Sequence, residues 1–534
     1  MLTRTCFRTN FRSLSKVNVD SSLEDDQYRI LRKSSVTSIN AFTNERSVVQ
    51  LSDKQNAPKR LRREYNLPTQ AVTGLRNVLI TCDHPPKQLQ NEADQLSEKL
   101  KQRRFPASPE KVKGVRDEIK KKLRAGKKNQ EESLDNDDLA LGGKIKEAQE
   151  YEIRNKVDKL LKKTSYNWKP LSIETKEAAS TYALSRLASN QAEVARVLEE
   201  FGSDFVPETV LDFGSGSGAA FWALISKWPG DKIKEITLID SSDAMTRFCM
   251  DSIRKPGTSV DSKPFLHNNV AFRRHLVPSL STTYDLVIAQ RVLCEIGSVE
   301  TRLQMIESLW QRTNRYLVLI ESSLSDSFEG ILEARDFLLT SGVQIDEEKF
   351  ISELKHRNLL VPEVTNILGN NQLSDYEKFF ILREIIPNEV RIPTVLPTAS
   401  VFAPCPHDLG CPKSYKGSCS FEARFQVVRA DGKRSKYEKD GTEKTSFSFV
   451  IMEKGTRKPN QFSERILKNR QLGGHVTCDV CTAFRGIQRM TLSKGKHGSL
   501  YTKMRARRSG DVFPLNQKTV ASEDVFDLSK LIEK

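Results

Sequence analysis

No uninterrupted apolar run in the chain approaches the roughly 20 residues needed to cross a bilayer, which argues against a helix spanning a membrane. Cysteine is scarce too: nine in 534 residues make a poor disulfide framework. Acidic residues are outnumbered, 69 Asp and Glu against 85 Lys and Arg, leaving a formal charge of +16. That surplus favours a polyanionic partner such as RNA or DNA, because each neutralised phosphate releases condensed counterions. A solubilising surface without a ligand accounts for net charge alone equally well. The length exceeds what one hydrophobic core normally serves, so two folded domains with less ordered segments are expected.

Before Asp20 there is no acidic residue, while Arg4, Arg8, Arg12 and Lys16 recur every four positions, opposite Leu2, Phe7, Phe11 and Leu14. An amphipathic, basic, acid-poor leader without a continuous apolar stretch has the composition of a mitochondrial transit peptide. From about residue 20 to 80 the sequence is polar and weakly patterned. Charged helical sequence follows. Ser108 and Pro109 form a helix start, and Lys111, Lys113, Arg116, Lys120, Lys121, Lys122 and Arg124 make that helix too polar for a core. The acidic stretch from Glu131 to Asp138 separates it from a second basic helix over Lys144 to Lys163. A solvated charged helix pair and an RNA-contacting one remain equally open.

Tyr182 to Phe201 carries apolar residues at helical spacing, and from there to about Ser323 strand and helix patterns alternate. The strands read as Thr209 to Phe213, Glu235 to Asp240, Tyr284 to Ala289 and Arg315 to Glu321, which predicts an α/β fold with a parallel sheet covered on both faces. The first strand runs into VLDFGSGSGAA, where glycine lets the backbone turn tightly and a ligand approach without an intervening Cβ. About twenty residues on, the next strand ends at Asp240, whose carboxylate can accept both hydrogen bonds of a ribose diol. The GxGxG form is closer to the S-adenosylmethionine (SAM) methyltransferase signature than to the dehydrogenase one. Asp212, Gly214, Ser215, Gly216, Gly218 and Asp240 are the candidate cofactor contacts. A Rossmann-like fold with an empty pocket is the bland alternative. After the third strand the chain reads QRVLCEIGS, with no Asn/Asp-Pro-Pro-aromatic motif and no Pro-Cys pair, so no catalytic residue is assigned. Cys294, flanked by Leu293 and Glu295, reads as a core cysteine.

Five cysteines cluster late: Cys405, Cys411 and Cys419 spaced C-x5-C-x7-C, then Cys478 and Cys481 in CDVC. Structural zinc sites usually offer two short pairs, whereas here three widely separated thiolates arrive first. The spacing favours an iron–sulfur cluster while leaving zinc open.

Together YALSRLASNQAEVARVL, VLDFGSGSGAAFWA, the EARDFLL helix, CPHDLGCP, SFSFVIMEKG and GDVFP resemble the mitochondrial methyltransferase-like protein 17 family and the related Rsm-type proteins of the yeast mitochondrial small subunit, over about residues 170 to 515. The resemblance implies a matrix protein with a Rossmann-like SAM-methyltransferase core that has lost activity. It would act as a monomer, outside the membrane, on the rRNA and proteins of the maturing small ribosomal subunit. It also implies a 4Fe-4S cluster on Cys405, Cys411, Cys419 and a cysteine of the CDVC pair, for which Cys478 is chosen with Cys481 competing. Where the family often has a Gly-Thr-Pro type turn after the fourth strand, this chain reads ESSLSDSFEG, a departure that puts catalysis in doubt. The alternative function is an active SAM-dependent rRNA methyltransferase.

Alternation in Phe421 to Ala430, Thr445 to Met452, Arg489 to Leu492 and Leu500 to Arg507 reads as antiparallel strands. Lys494, Lys496, His497, Tyr501, Lys503, Arg505, Arg507 and Arg508 would give a cationic edge for phosphates and base stacking, or else a hairpin with charged gatekeepers. The expected organisation is a transit peptide (1–20), a low-structure linker (21–90), a basic helical region (91–167), the Rossmann domain with preceding helices (168–395), a small mainly-β, cysteine-rich domain (396–520) and a tail (521–534).

Overall fold

The computed structural model describes residues 49–53, 60–101, 103–107, 109–131, 150–161, 168–255, 264–387, 389–413, 417–433, 441–457, 464–483 and 486–519. The transit-peptide, acidic-break and tail readings lie outside them. In chain order the elements are β1 Val49–Asp53, α1 Thr69–Ile80, α2 Pro86–Lys101, α3 Pro109–Glu131, α4 Lys176–Leu198, β2 Thr209–Phe213, α5 Ala219–Lys227, β3 Glu235–Ile239, α6 Asp243–Ser252, β4 Val270–Arg273, β5 Tyr284–Gln290, α7 Val299–Gln311, β6 Thr313–Ser322 and α8 Ser325–Ser341. They continue with α9 Glu347–His356, α10 Pro362–Leu368, α11 Asp375–Ile385, β7 Ala399–Ala403, β8 Phe421–Gln426, β9 Thr442–Lys454, β10 Arg465–Leu472, β11 His475–Cys481, β12 Ile487–Ser493, α12 Lys494–Arg505 and β13 Leu515–Thr519. No helix among the described residues is long and apolar enough to cross a membrane.

The main sheet has the order β4-β3-β2-β5-β6-β9-β7, with β8 paired to β9. Strands β2 to β6 are mutually parallel, and β9 enters antiparallel between β6 and β7. The reversal of strand order at β2/β5 is the topological switch point of a doubly wound sheet, where such folds bind ligands beyond the strand C-termini. This is a Rossmann-like core. The period-2 pleat explains its two-sided burial: Val210, Leu286, Ile288, Val318 and Ile320 enter one core cluster, while Leu211, Val287, Ala289, Leu317 and Leu319 enter the other. Helix α4 starts at Thr175, whose hydroxyl caps it by accepting from the Ala178 amide.

Several expectations are corrected. The 21–90 linker contains α1, which buries Ala71, Leu75, Val78 and Leu79 in the main core, and the start of α2. The 395/396 boundary cuts through one sheet, because β7, β8 and β9 beyond it complete the Rossmann sheet. What stands apart beyond it is the three-stranded sheet β10-β11-β12 with α12. Leu500 to Arg507 is largely helical, since Tyr501 and Met504 lie at i and i+3 and both turn into the core of that small unit. Between α8 and β7 the helices α9 to α11 enclose a separate core around Phe350, Leu354, Phe379 and Leu382.

Candidate functional site

Two sites emerge, one at the glycine turn and one at the cysteine loop. At the first, β2 ends in Asp212 and Phe213, and Gly214, Gly216 and Gly218 all adopt positive φ, at 75°, 51° and 80°. A Cβ at Gly214 would stand 2.4 Å from Val292, and one at Gly218 would stand 2.7 Å from the Cys249 sulfur. One at Gly216 meets nothing nearer than 3.9 Å and so would project into open space. The Asp240 carboxylate accepts from the Gly216 and Ser242 amides, each at 2.8 Å, tying the two strand ends together. The turn borders a small, partly open cavity lined by Tyr182, Asn190, Asp212, Gly214, Ser215, Gly216, Ser217 and Gln290, among others. Burial, with the charge of Asp240 added, pushes Asp212 up to about 8. Its Oδ2, the Ser217 hydroxyl and the Gln191 carbonyl are buried without a hydrogen-bond partner among the described residues. Of the six candidate contacts, Asp212, Gly214, Ser215 and Gly216 line the cavity, while Gly218 closes the turn and Asp240 adjoins it through Gly216.

Sequence reasoning missed the polar group beside it. Glu193, fully buried on α4, accepts from Gln290 Nε2 at 2.9 Å, from Arg291 and from the Thr445 hydroxyl at 2.6 Å. Arg291 itself takes a positive φ of 59°. The edge beyond β5 is covered by the chain's own N-terminal segments. The Trp168 indole donates to the Cys294 carbonyl at 3.0 Å, the Leu171 amide donates to Glu295 at 2.8 Å, and Arg103 forms an ion pair with Glu295. Ser242 donates to the Ile173 carbonyl at 2.6 Å, so residues 168–173 run from the segment after β5 to the residues after β3. The Cys294 thiol is pushed well up by burial and by Glu321, the reverse of what an active nucleophile needs. Glu321 is itself raised by burial to about 7.

At the second site burial pushes up the thiols of Cys405, Cys411, Cys419 and Cys481, Cys411 to about 12, and neighbouring thiols add to the effect. Cys411 responds to Cys405, Cys419 to both, and Cys481 to all three. These four therefore share one neighbourhood, although among the described residues no three His, Cys, Asp or Glu side chains are drawn together tightly enough to hold a metal ion. Cys478 does not join them. On β11, residues 476, 478 and 480 face the small unit's core, and the Cys478 sulfur points to the Met490 carbonyl at 3.7 Å. Cys481, three positions on, leaves by the other face. The choice of Cys478 over Cys481 is corrected on this geometry.

His407, also missed, places Nε2 3.5 Å from the Cys481 sulfur while its Nδ1 meets the Leu409 carbonyl at 3.1 Å. A carbonyl only accepts, so Nδ1 carries the proton. Burial and the Arg335 charge hold the imidazole near 3, hence neutral. Its position inside CPHDLGCP was the available signal. Asp408 braces the same loop by accepting from the Val401 amide at 2.7 Å and from Arg457 at 2.8 Å. Behind it Arg465 donates to Pro404 O at 3.3 Å, pairs with Glu200 at 2.8 Å and shares the Gly510 carbonyl with Arg196. Burial opposes ionisation of Glu200, but Arg465 and Arg196 outweigh it and hold the carboxyl below its ordinary range.

Of the cationic edge, Lys494, Lys496, Arg505 and Arg508 are exposed, and Lys468 and Arg470 on β10 extend it. Tyr501 and Arg507 are buried, which removes Tyr501 as a stacking platform.

A family model described as mitochondrial small ribosomal subunit Rsm22 matches residues 176–350 and 378–514. The chain is 27% identical to the human mitochondrial ribosome assembly protein METTL17, over 84% of this chain and 83% of that protein. It is 22% identical to the Rsm22-cox11 tandem protein 2 of Schizosaccharomyces pombe, over 60% of this chain, and spans 40% of that longer protein. Among solved structures, magnesium protoporphyrin IX methyltransferase from Synechocystis PCC 6803 with bound SAH overlays on 53% of this chain and 89% of its own, at 14% identity and a TM-score of 0.24. The plantazolicin methyltransferase BpumL with SAH overlays on 51% and 85%, at 14% identity and a TM-score of 0.22.

Proposed function

The chain belongs to the mitochondrial small ribosomal subunit Rsm22 family, and from that premise we propose that it is an assembly factor of the mitochondrial small ribosomal subunit whose methyltransferase-type core serves binding rather than methyl transfer. It acts in the matrix, as a monomer on the maturing particle, holding rRNA through the exposed cations of the small C-terminal unit. The observation that carries the non-catalytic reading is the covered acceptor edge. A methyl acceptor would approach beyond β5, where Trp168, Leu171 and Arg103 are bonded to Cys294 and Glu295. An active rRNA methyltransferase would need that edge open and a base-holding group there.

SAM would be held by the backbone of Gly214 to Gly218, with Asp240 at the ribose diol. The unpartnered Asp212 and Ser217 oxygens, both lining the cavity, are the polar groups left for the remainder of the ligand. When bound, the cofactor supplies an activated methyl group. The cysteine loop suits a 4Fe-4S cluster: four neighbouring cysteines, Cys411 and Cys481 buried and Cys405 and Cys419 half-buried, offer the donor set that such a cluster takes. Bound there, the group joins the loop after β7 to the end of β11.

Co-sedimentation of the tagged protein with mitochondrial ribosomal precursors, with iron and acid-labile sulfide measured in the same fractions, tests the reading. Enrichment on small-subunit precursors with both elements present is expected. Methylation of a defined rRNA nucleotide by the purified protein would overturn the non-catalytic half.

A further inference from the structure

The cysteine loop does not close on itself; one of its walls is a helix of the Rossmann core. On α8, Phe328, Leu332 and Arg335 lie at i, i+4 and i+7 and so share a face. Phe328 and Leu332 pack with Cys411 and Cys419 in one small buried cluster. Arg335, 1% exposed, donates from one guanidinium nitrogen to the carbonyls of Leu409 at 2.6 Å and His407 at 3.3 Å, both within the stretch between Cys405 and Cys411. Its other terminal nitrogen meets Asp336 at 2.5 Å. The Nε hydrogen is buried without a partner among the described residues.

From this geometry we infer that Arg335 is the positioning residue of the metal site, clamping the Cys405–Cys411 segment and presenting a fixed positive charge and a spare N–H to the sulfur ligands. The inference rests on reading the cysteine loop as a cluster site. Its physical ground is that several thiolates gathered away from water need compensating charge, and a buried guanidinium is always ionised. A second cation near the loop, Arg457, is paired with Asp408 as Arg335 is with Asp336, but Arg335 is the one that also donates to two carbonyls between Cys405 and Cys411. Hydrogen bonds and charge at the sulfurs are among the features that set a cluster's reduction potential, and groups that orient ligands govern how firmly the metal is held.

The test reconstitutes the full chain anaerobically with ferrous iron and sulfide, as wild type, Arg335→Gln and Arg335→Lys. Visible absorption, the rate of cluster loss to a chelator and the reduction potential are followed, with circular dichroism to confirm the fold. Arg335→Gln is expected to lose the cluster at least tenfold faster. Its potential should move negative by about tenfold in the oxidised-to-reduced ratio, about 59 mV for one electron. Arg335→Lys, which keeps the charge but not the fork, should lose the cluster several-fold faster with a smaller shift in potential. A folded Arg335→Gln protein with wild-type loss rate and potential overturns the inference; if that variant does not fold, wild-type values in Arg335→Lys do so. A wild-type chain that takes up no iron overturns the inference and the cluster reading together.

Discussion

The glycine turn and the cysteine loop are built in opposite ways. At the turn, one strand end and the residues just after it supply nearly everything: three glycines at positive φ, Asp212 before them and Asp240 on the adjacent parallel strand. At the loop, the thiols come from positions up to 76 residues apart, and the supporting cations come from α8 and from residue 457. The first site is set by backbone conformation and would survive without a ligand. The second gathers four thiols whose mutual proximity opposes ionisation, so a metal group bound there would itself stabilise the arrangement. Glu200, between Arg196 and Arg465, is the tie between the two regions, since α4 carries cavity residues and Arg465 reaches the loop at Pro404.

The sharpest division of the two regions comes from the CDVC pair. Cys481→Ser should abolish the visible absorption of the reconstituted cluster, while Cys478→Ser should leave it in place and lower only the stability of the small sheet. Absorption spectra with iron analysis of the two variants check this. Loss in Cys478→Ser alone would reverse the assignment drawn from the faces of β11.

Next in size is the tie. Glu200→Ala leaves two buried guanidinium groups without their carboxylate and should cost about 3–5 kcal/mol in denaturant unfolding. The α12 unit should loosen first, as increased amide exchange across β10 to β12.

A smaller effect belongs to the turn. The folded pKa of Asp212 lies above its unfolded value of 3.8, near 8. Between those limits the native state binds more protons than the unfolded chain, so this group's contribution is greatest at low pH and declines as pH rises through about 8. Glu321, raised to about 7, acts in the same direction. Asp212→Asn should therefore flatten the fall in stability between pH 5 and pH 9 by about 1–3 kcal/mol, measured by unfolding at each pH.

The smallest change in stability, with the clearest change in binding, is expected of Gly216→Val. A side chain at positive φ costs about 1–2 kcal/mol, and the added atoms occupy the open space beside the turn. Calorimetry should detect SAM binding to the wild type and none to the variant. Equal affinity would show that SAM does not bind at this turn.

The same contrast explains what was legible in the sequence. VLDFGSGSGAA and the strand ending at Asp240 are local signals, because turn glycines and strand runs are contiguous in the chain. Strand β4 was missed since it is four residues long at the sheet edge and only partly buried. α1 was lost in polar surroundings although Ala71, Leu75, Val78 and Leu79 have helical spacing. For β9 the alternation was visible but its destination was not, since nothing local distinguishes a strand inserted between β6 and β7 from one in a separate domain. The cysteines could be counted from the sequence, yet choosing between Cys478 and Cys481 required the register of β11 against β10 and β12. Arg335 lies in EARDFLL and carries no mark of its partnership with a loop some seventy residues away.

The proposed function makes the Rossmann-like core the support of a metal-dependent RNA-binding unit. It is tested most directly by comparing Cys411→Ser with Gly216→Val for association with mitochondrial small-subunit precursors in gradient fractions from cells lacking the wild-type protein. Cys411→Ser, with the cluster lost and the Rossmann core still folded, should leave the precursor fractions, while Gly216→Val should remain in them. Retention of Cys411→Ser on the precursors at wild-type level, with its iron gone, would contradict it.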